Sequence, residues 1–528
     1  MGTPTTLDPT APDPDAGHPR RWATLAALCA SLVVVTIDNT VLNTALPALA
    51  GALHASTADL QWINNAYTLV FAAMLITAGG LGARFGQRRS LITGLTVFAL
   101  ASAVAANADS ADQLIALRAV MGLGAAFVMP ATLSVIVSLF GERERPKAIA
   151  IWSATAGLGI VIGPIAGGLL LEHFSWGSVF WINVPLVAAT LAAAVLLIPA
   201  LPGRRTGRLD VPGLLLSALG LAALVDVIVQ GPERGWLSAT SLTEAAVAAV
   251  LLAGFAAWEL TTAQPMVDLR MFAVRAVAAS GATLAVTFFA LFGLLFVYTQ
   301  YLQLVHGYSP LKAGLGALPF ALAMAATAAT SDRSTARFGA RRAVAGGLAL
   351  MALGLAGVSL VRVDTPFALL SVGMAVVGAG MGLIMAPASA AAVAALPREK
   401  APMASALNGV VRELGGVLGI AVVGTVVSAA YRDRLRTALP GVPAPADADL
   451  PSAHAVAAHL APDQAVRLTD AADHAFTTAM HSGTWTCAAI ALAGAVAALL
   501  LMQRTASRPT PARGTAAPAP EAVNVLAG

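Results

Sequence analysis

Charged side chains are rare inside the long apolar runs of this 528-residue chain, and the few found there are its candidates for chemistry. Asp38, Arg118, Asp226, Arg412 and Glu413 each interrupt a stretch dominated by Ala, Val, Leu, Ile and Gly. An ionised side chain at the middle of a bilayer costs roughly 2.5 to 3.5 kcal/mol even on the gentler insertion scale, so such residues face a partner or a cavity. Asp38 lies sixteen residues into the first run, about 24 Å along a helix that rises 1.5 Å per residue. Arg118 stands near the start of the fourth run, which enters from the same outer side, so the two can meet as an ion pair. Such a pair can act as a proton switch. Paired, the carboxylate keeps its charge; unpaired in an apolar wall, the charge is costly and a proton relieves it. Glu413 is about ten residues into the thirteenth run and shares a helix face with Gly409 and Gly416, which cannot shield its carboxylate. Its neighbour Arg412 diverges from it by about 100° around the helix, which argues against a simple pair. Asp38, Arg118 and Glu413 are therefore the candidates for proton coupling. Asp226 leaves two readings open, a contact in a substrate cavity or an accessory contact outside any pathway.

Two further patterns bear on binding and movement. The ninth run carries Tyr298, Gln300, Tyr301 and Gln303 after Phe288, Phe289, Phe292 and Phe296. Aromatic surface with a few amides suits amphiphilic ligands of varied shape. An unpaired amide facing lipid is costly, which favours a cavity for the glutamines, whereas for the phenylalanines packing or lipid contact is the favoured role. In the fifth run, Gly159, Gly163 and Gly167 recur every four residues and form a stripe along which another helix can approach closely. Pro164 removes one backbone hydrogen bond beside that stripe. The combination fits either a helix that rocks between two states or static close packing.

The elements that must position these residues are membrane helices. Hydrophobic residues make up 58% of the chain and charged ones 11%, against roughly 25% charged in an average soluble domain. A hydrocarbon core of ~30 Å needs ~20 apolar residues per crossing. Fourteen such runs are predicted, at 22–46, 60–80, 90–108, 113–139, 149–171, 179–200, 211–230, 241–260, 277–302, 311–331, 342–361, 366–389, 403–429 and 483–502. With the N-terminus inside, cytoplasmic segments, together with Arg342 at the cytoplasmic edge of its span, hold 22 of the 31 Lys and Arg, which satisfies the positive-inside rule and puts both chain ends in the cytoplasm.

Several function classes fall away. The net charge of +4 and pI near 9.4 come from basic residues dispersed among short loops, not from a nucleic-acid-binding patch. Cys29 and Cys487 offer no disulfide framework, and no metal-ligand spacing is present. The histidines at 454, 459, 474 and 481 do not stack on one helical face, so the segment 431–482 reads as a solvated external loop. Lys147, Lys312 and Lys400 are each followed by alanine, so no phosphate-binding GK[ST] exists, and no catalytic cluster is evident. No cleaved signal peptide is apparent at the N-terminus.

The chain repeats itself. ARFGQRR at Ala83 to Arg89 returns as ARFGARR at Ala336 to Arg342, and GLGAAFVMPA at Gly122 is echoed by GMGLIMAPA at Gly380, slipped by one residue. Each echo is eight spans apart, so the architecture reads six plus two plus six. The predicted domains are a cytoplasmic tail 1–21, a six-helix bundle 22–200, an inserted pair 211–260, a second six-helix bundle 277–502 with the external loop 431–482, and a disordered cytoplasmic tail 503–528.

The motifs together resemble the major facilitator superfamily, and more narrowly its fourteen-span drug:proton antiporters. They are IDNTVLNTALP (Ile37 to Pro47), QWINNAYTL (Gln61 to Leu69), the loop GGLGARFGQRR, Arg118 with Gly122, Gly124 and Pro130, GLGIVIGPIAGG (Gly157 to Gly168), and FWINVPL (Phe180 to Leu186). The resemblance runs from about Trp22 to Met502. It implies an all-α integral membrane protein of the major facilitator fold in the plasma membrane, a functional monomer that needs no cofactor beyond the proton gradient. The implied activity is export of lipophilic, often cationic, drugs or antibiotics in exchange for protons. The rival on the same fold is a symporter or facilitator importing a specific solute; the span 5 glycine-proline segment and the fourteen spans favour export. The resemblance also gives the basic loops, with Gly86, Arg88, Arg89 and Gly339, a latching role between helices beyond their topological one. Here the chain departs from the pattern, because Ala83 stands where the loop acid is expected and Asp332 does not occupy the equivalent place in the second copy.

Overall fold

The structure is a computed structural model that describes residues 19–502, apart from 142–143, 200–209, 264, 266–267, 396–400 and 443. Both predicted tails lie largely outside the described residues.

Backbone N–H and C=O groups in hydrocarbon must be paired within their own segment, and an apolar run meets that requirement by becoming a helix. The first six crossings are α1 (Arg21–Leu53), α2 (Thr57–Phe85), α3 (Gln87–Ala105), α4 (Ala111–Leu139), α5 (Arg145–His173) and the broken pair α6 (Ser178–Trp181) and α7 (Asn183–Leu197). The inserted hairpin is α8 (Val211–Arg234) and α9 (Ala239–Thr261). The second set comprises α10 (Arg275–Gln300) with a π-helical end (Tyr301–Val305), α11 (Pro310–Leu315) with α12 (Leu318–Ala328) and α13 (Ser331–Phe338), α14 (Ala340–Val358), α15 (Phe367–Ala394) and α16 (Ala401–Ala438). Short α17 (Ala444–Ala448) and α18 (Leu450–Ala457) then lead into α19 (Pro462–Leu501). Twelve of these segments are long and apolar enough to cross a membrane; α2 and α5, each 29 residues, complete the fourteen. Among the described residues there is no strand.

Helix starts follow local chemistry. Ser56 and Asp59 form a reciprocal capping box on α2, and Ser110, Asp210 and Ser238 cap α4, α8 and α9 through their side-chain oxygens. The breaks also have causes. Pro185 has no N–H to give the Trp181 carbonyl where α6 meets α7, and Pro319 has none for the Leu315 carbonyl where α11 ends.

The N-terminal bundle packs α2 on α4, α3 on α4, and α1 on both α5 and α7; the C-terminal bundle packs α10 on α16, α14 on α15, α12 on α15, and α19 on α14 and α16. Glycines set the closest approaches, and they do so in register. A Cβ on Gly124 would meet the backbone of Gly94 and Phe98, and a Cβ on Gly380 that of Gly347 and Met351. Gly122 sits against the Tyr67 backbone as Gly378 sits against that of Phe320. The structural partner of Gly122 is therefore Gly378, not Gly380, and the one-residue slip falls after the glycines, before Pro130 and Pro387.

The α8–α9 hairpin lies outside the bundles, with α8 touching α2 and α16 while α9 exposes Leu242, Val247 and Val250. Its apolar seam joins Val225 and Val229 to Leu69, Val417 and Ala421.

The segment 431–482 is not a solvated loop. α16 continues to Ala438, α18 intervenes, and α19 begins at Pro462, well before the predicted last span at 483. Leu450, Ala453 and Ala457 on α18 and Leu468, Ala472, Ala475 and Phe476 on α19 recur at three- and four-residue spacing and are buried in the main core. Tyr431 is buried beneath them, with its hydroxyl between the carbonyls of Ala446 and Asp449.

Candidate functional site

Asp38 is carried by α1 and is fully buried. Arg118 on α4 is 0% exposed, and its Nη1 donates to Asp38 Oδ2 at 2.6 Å. The guanidinium is held from α2 as well: Nε donates to the Ile63 carbonyl at 3.2 Å, and its central carbon lies 4.3 Å from the Tyr67 ring centroid. The expected ion pair is thus in place, and it lies wholly within the N-terminal bundle. Its second copy is absent: by the 256-residue offset of the paired glycines, the position matching Arg118 is Met374, which is buried.

The other oxygen of Asp38 is also occupied. Asn183, at the start of α7, donates Nδ2 to Asp38 Oδ1 at 2.7 Å and to Ser102 Oγ on α3 at 3.1 Å. Ser102 in turn donates to the Phe180 carbonyl at 2.9 Å. Beside this centre, Asn64 donates to Asn43 at 3.0 Å, while Asn39 Oδ1, Gln61 Oε1, both polar atoms of the Asn65 amide and the Tyr67 hydroxyl are buried with no protein partner. Asn183, Ser102 and Tyr67 escaped the sequence reading, although FWINVPL and QWINNAYTL had been singled out. The available signal was an amide inside an apolar run, which must find a partner.

Glu413 and Arg412 are half-buried on α16. Arg412 lies over the Phe288 ring, 4.6 Å from its centroid, and makes no ion pair with Glu413, as their angular divergence anticipates. Glu413 Oε2 has no partner. One turn before it, Gly409 faces Leu75 of α2, so this edge of α16 meets the opposite bundle. Tyr67 lies within electrostatic range of Asp38, Arg118 and Glu413 alike, which makes it the group common to both carboxylates.

The ninth-span residues separate. Tyr298 lines a small cavity between the bundles with Thr40, Asn43, Pro164 and Phe320, and its hydroxyl has no partner. Gln303 donates across the bundles to the Thr44 carbonyl at 2.8 Å. Gln300 turns to its own helix, to the Phe296 carbonyl at 2.9 Å. Tyr301 donates to the Arg362 carbonyl at 2.6 Å and accepts from His306 Nε2 at 2.9 Å. Burial and Lys312 hold His306, just beyond the span, below the usual imidazole range, so the ring is neutral at pH 7. Asp226 does not reach the cavity. It binds Arg234 at 3.1 Å, which also binds Glu244 at 2.9 Å, and the three close the α8–α9 hairpin. Its depth in the sequence misled because Arg234, two turns on, folds back to it.

The glycine stripe of α5 packs on α1, in the same bundle: Gly159 against Thr36, Gly163 against Thr40, Gly167 against Val41. The contact with the other bundle uses a neighbouring edge, where Gly168 meets Leu311 and the Pro164 carbonyl meets Gly314. Gly86 and Gly339 both take positive φ, 102° and 80°, at the expected turns. Arg88 donates to the Val195 carbonyl of α7, tying the first basic loop to the sixth span, and Arg89 is exposed.

Two six-helix bundles, a buried acid and arginine in one of them and a second acid at their seam define a multi-pass membrane transporter. The chain belongs to the Major Facilitator Superfamily, whose family model matches residues 28–430. Within it the chain is similar to drug-resistance proteins. It is 36% identical to the methyl viologen resistance protein SmvA of Salmonella typhimurium over 92% of this chain and 97% of the relative. It is 35% identical to the multidrug efflux pump LfrA of Mycolicibacterium smegmatis over 94% and 97%. The tetracenomycin C resistance and export protein of Streptomyces glaucescens is 35% identical over 78% and 77%. Among solved structures, a bacterial homologue of the lysosomal transporter Spinster, in an inward-facing unoccupied conformation, superposes with a TM-score of 0.65 at 18% identity, covering 92% of this chain and 99% of that one. That likeness concerns the fold.

Proposed function

We propose that this protein exports lipophilic, often cationic, drugs or antibiotics across the plasma membrane in exchange for protons, with both chain ends in the cytoplasm. The observation that carries the coupling is the buried Asp38–Arg118 pair, a carboxylate whose charge is balanced by a cation and whose protonation weakens that pairing. Glu413, with an unpaired oxygen on the α16 edge that meets α2, is the second acid and the natural counter-charge for a cationic substrate. Export is supported by relatives named for methyl viologen resistance and multidrug efflux that align along nearly the whole chain. For a neutral substrate exchanged for one proton the energetics suffice: one charge crossing 100 mV supplies about 2.3 kcal/mol, and at about 1.4 kcal/mol per tenfold that sustains a gradient of roughly fiftyfold; a monovalent cation exchanged one for one moves no net charge and draws on the pH gradient. Tyr298 and Gln303, between the bundles, are assigned to the substrate path.

The test is efflux of a fluorescent lipophilic cation from cells expressing the protein, with and without a proton uncoupler. Export that collapses with the gradient is expected. Export that survives the uncoupler overturns the antiport reading, and uncoupler-sensitive accumulation would replace it with import.

A further inference from the structure

Proton coupling through an ion pair is tight only if the proton cannot bind while the pair stays intact. A carboxylate has two oxygens, and Arg118 covers just one of them, Oδ2. A proton landing on Oδ1 would neutralise Asp38 without displacing the arginine, and the conformational signal would be lost.

We propose that Asn183 is the positioning residue that disfavours this route by holding an obligate donor on Oδ1; the inference rests on the antiport reading above. The amide's orientation follows from its partners. Asp38 Oδ1 accepts, and Ser102, whose hydroxyl proton goes to the Phe180 carbonyl, also presents an acceptor to Asn183. Both neighbours require N–H, so both amide hydrogens are committed, and the bond to Asp38 fills one of the two lone-pair directions of Oδ1 and draws charge from that oxygen, which lowers its affinity for a proton. Asn183 is 0% exposed, and its own Oδ1 has no partner, so nothing pulls the amide the other way. The charged and titratable groups facing this centre are Arg118 from α4 and Tyr67 from α2, with Glu413 of α16 in range of Tyr67; α3 and α7 contribute the neutral Ser102 and Asn183.

Protonation then favours the oxygen that Arg118 vacates. Arg118 Nη1 leaves Oδ2, a proton takes its place there, and Asp38 passes from −1 to neutral. The freed guanidinium keeps its charge over the Tyr67 ring and on the Ile63 carbonyl. The carboxyl's C=O is Oδ1, still receiving the Asn183 hydrogen bond. Because Asn183 opens α7 directly after the α6 break, a shift of α7 relative to α1 would release this restraint along with the pair.

The test is infrared difference spectroscopy between high and low pH on the purified full-length protein, with Asp38→Asn identifying the carboxyl band of Asp38. In Asn183→Leu, and in the smaller Asn183→Ser should the first not fold, that C=O band is expected to move to higher wavenumber, because it loses its donor. In proteoliposomes the same variants are expected to leak protons in the absence of substrate. A band left in place, or variants as proton-tight as wild type, overturns the role of Asn183. No Asp38-dependent band at all would remove the proton reading itself, and this inference with it.

Discussion

Asp38 and Arg118 stabilise one another, and replacing either by an apolar residue leaves the other's charge unanswered. Both are buried, so removing one partner leaves a bare charge in a protein interior, a loss of about 3–5 kcal/mol, whereas removing both leaves none. Arg118→Leu is therefore expected to lower thermal stability sharply, and the double variant Asp38→Asn with Arg118→Leu to recover most of it, without recovering transport. A double variant no more stable than Arg118→Leu would show that the pair is not the dominant electrostatic contact here. Asp38→Asn alone should fold, since the new amide keeps an oxygen for Arg118, whose guanidinium also stays on the Ile63 carbonyl and over the Tyr67 ring. It should abolish proton-driven export, and full drug resistance in cells carrying it would sink the assignment. The pair was legible in the sequence because a charge in an apolar run must be answered, and the two lie at matching depth. Asn183 was not, because a neutral amide carries no such demand for a particular partner, and nothing in the chain says that α7 lies against α1.

Asp449 shows how helices outside the membrane runs bind the bundles together. One carboxylate oxygen accepts from the Ser452 amide and caps α18, while the other accepts from the Thr57 amide at 3.1 Å, at the first turn of α2. A side chain of the C-terminal half thus caps a helix of the N-terminal half. Losing an acidic cap costs about 1 kcal/mol per helix, so Asp449→Ala is expected to speed amide hydrogen exchange at both Ser452 and Thr57. Exchange altered at Ser452 alone would show that the cap on α2 carries no energy. This region marks the limit of reading by hydropathy. Its apolar residues are mostly alanines at helical spacing, too weakly hydrophobic to register as a span yet sufficient to bury against Tyr431. The repeat, by contrast, was legible to within two residues, because Gly86 and Gly339 must turn the chain and Gly94, Gly124, Gly347 and Gly380 must let helices touch. The first loop is tied through Arg88 to the Val195 carbonyl.

At the scale of the molecule, the two bundles meet chiefly toward the end where α1 finishes and α2 begins. Gln303 reaches Thr44, Gly168 meets Leu311, Asp449 holds Thr57, and Gln61 lies against Gly424. Under the proposed topology this end is external, so the arrangement is closed outward, and export requires these contacts to part. Gln61 and Gly424 offer a direct test, because a Cβ built on Gly424 would stand 3.0 Å from Gln61 Cγ, which places the two Cβ positions within reach of the ~3.5–4.5 Å a disulfide spans. The native Cys29 and Cys487 are buried and offer no competing exposed thiol. Gln61→Cys with Gly424→Cys is expected to cross-link on oxidation, to lose dye efflux while cross-linked, and to regain it on reduction, with each single variant active throughout. Undiminished efflux from fully cross-linked protein would mean that α2 and α16 stay together through the cycle, and that the bundles open along the Gly168 and Leu311 edge alone.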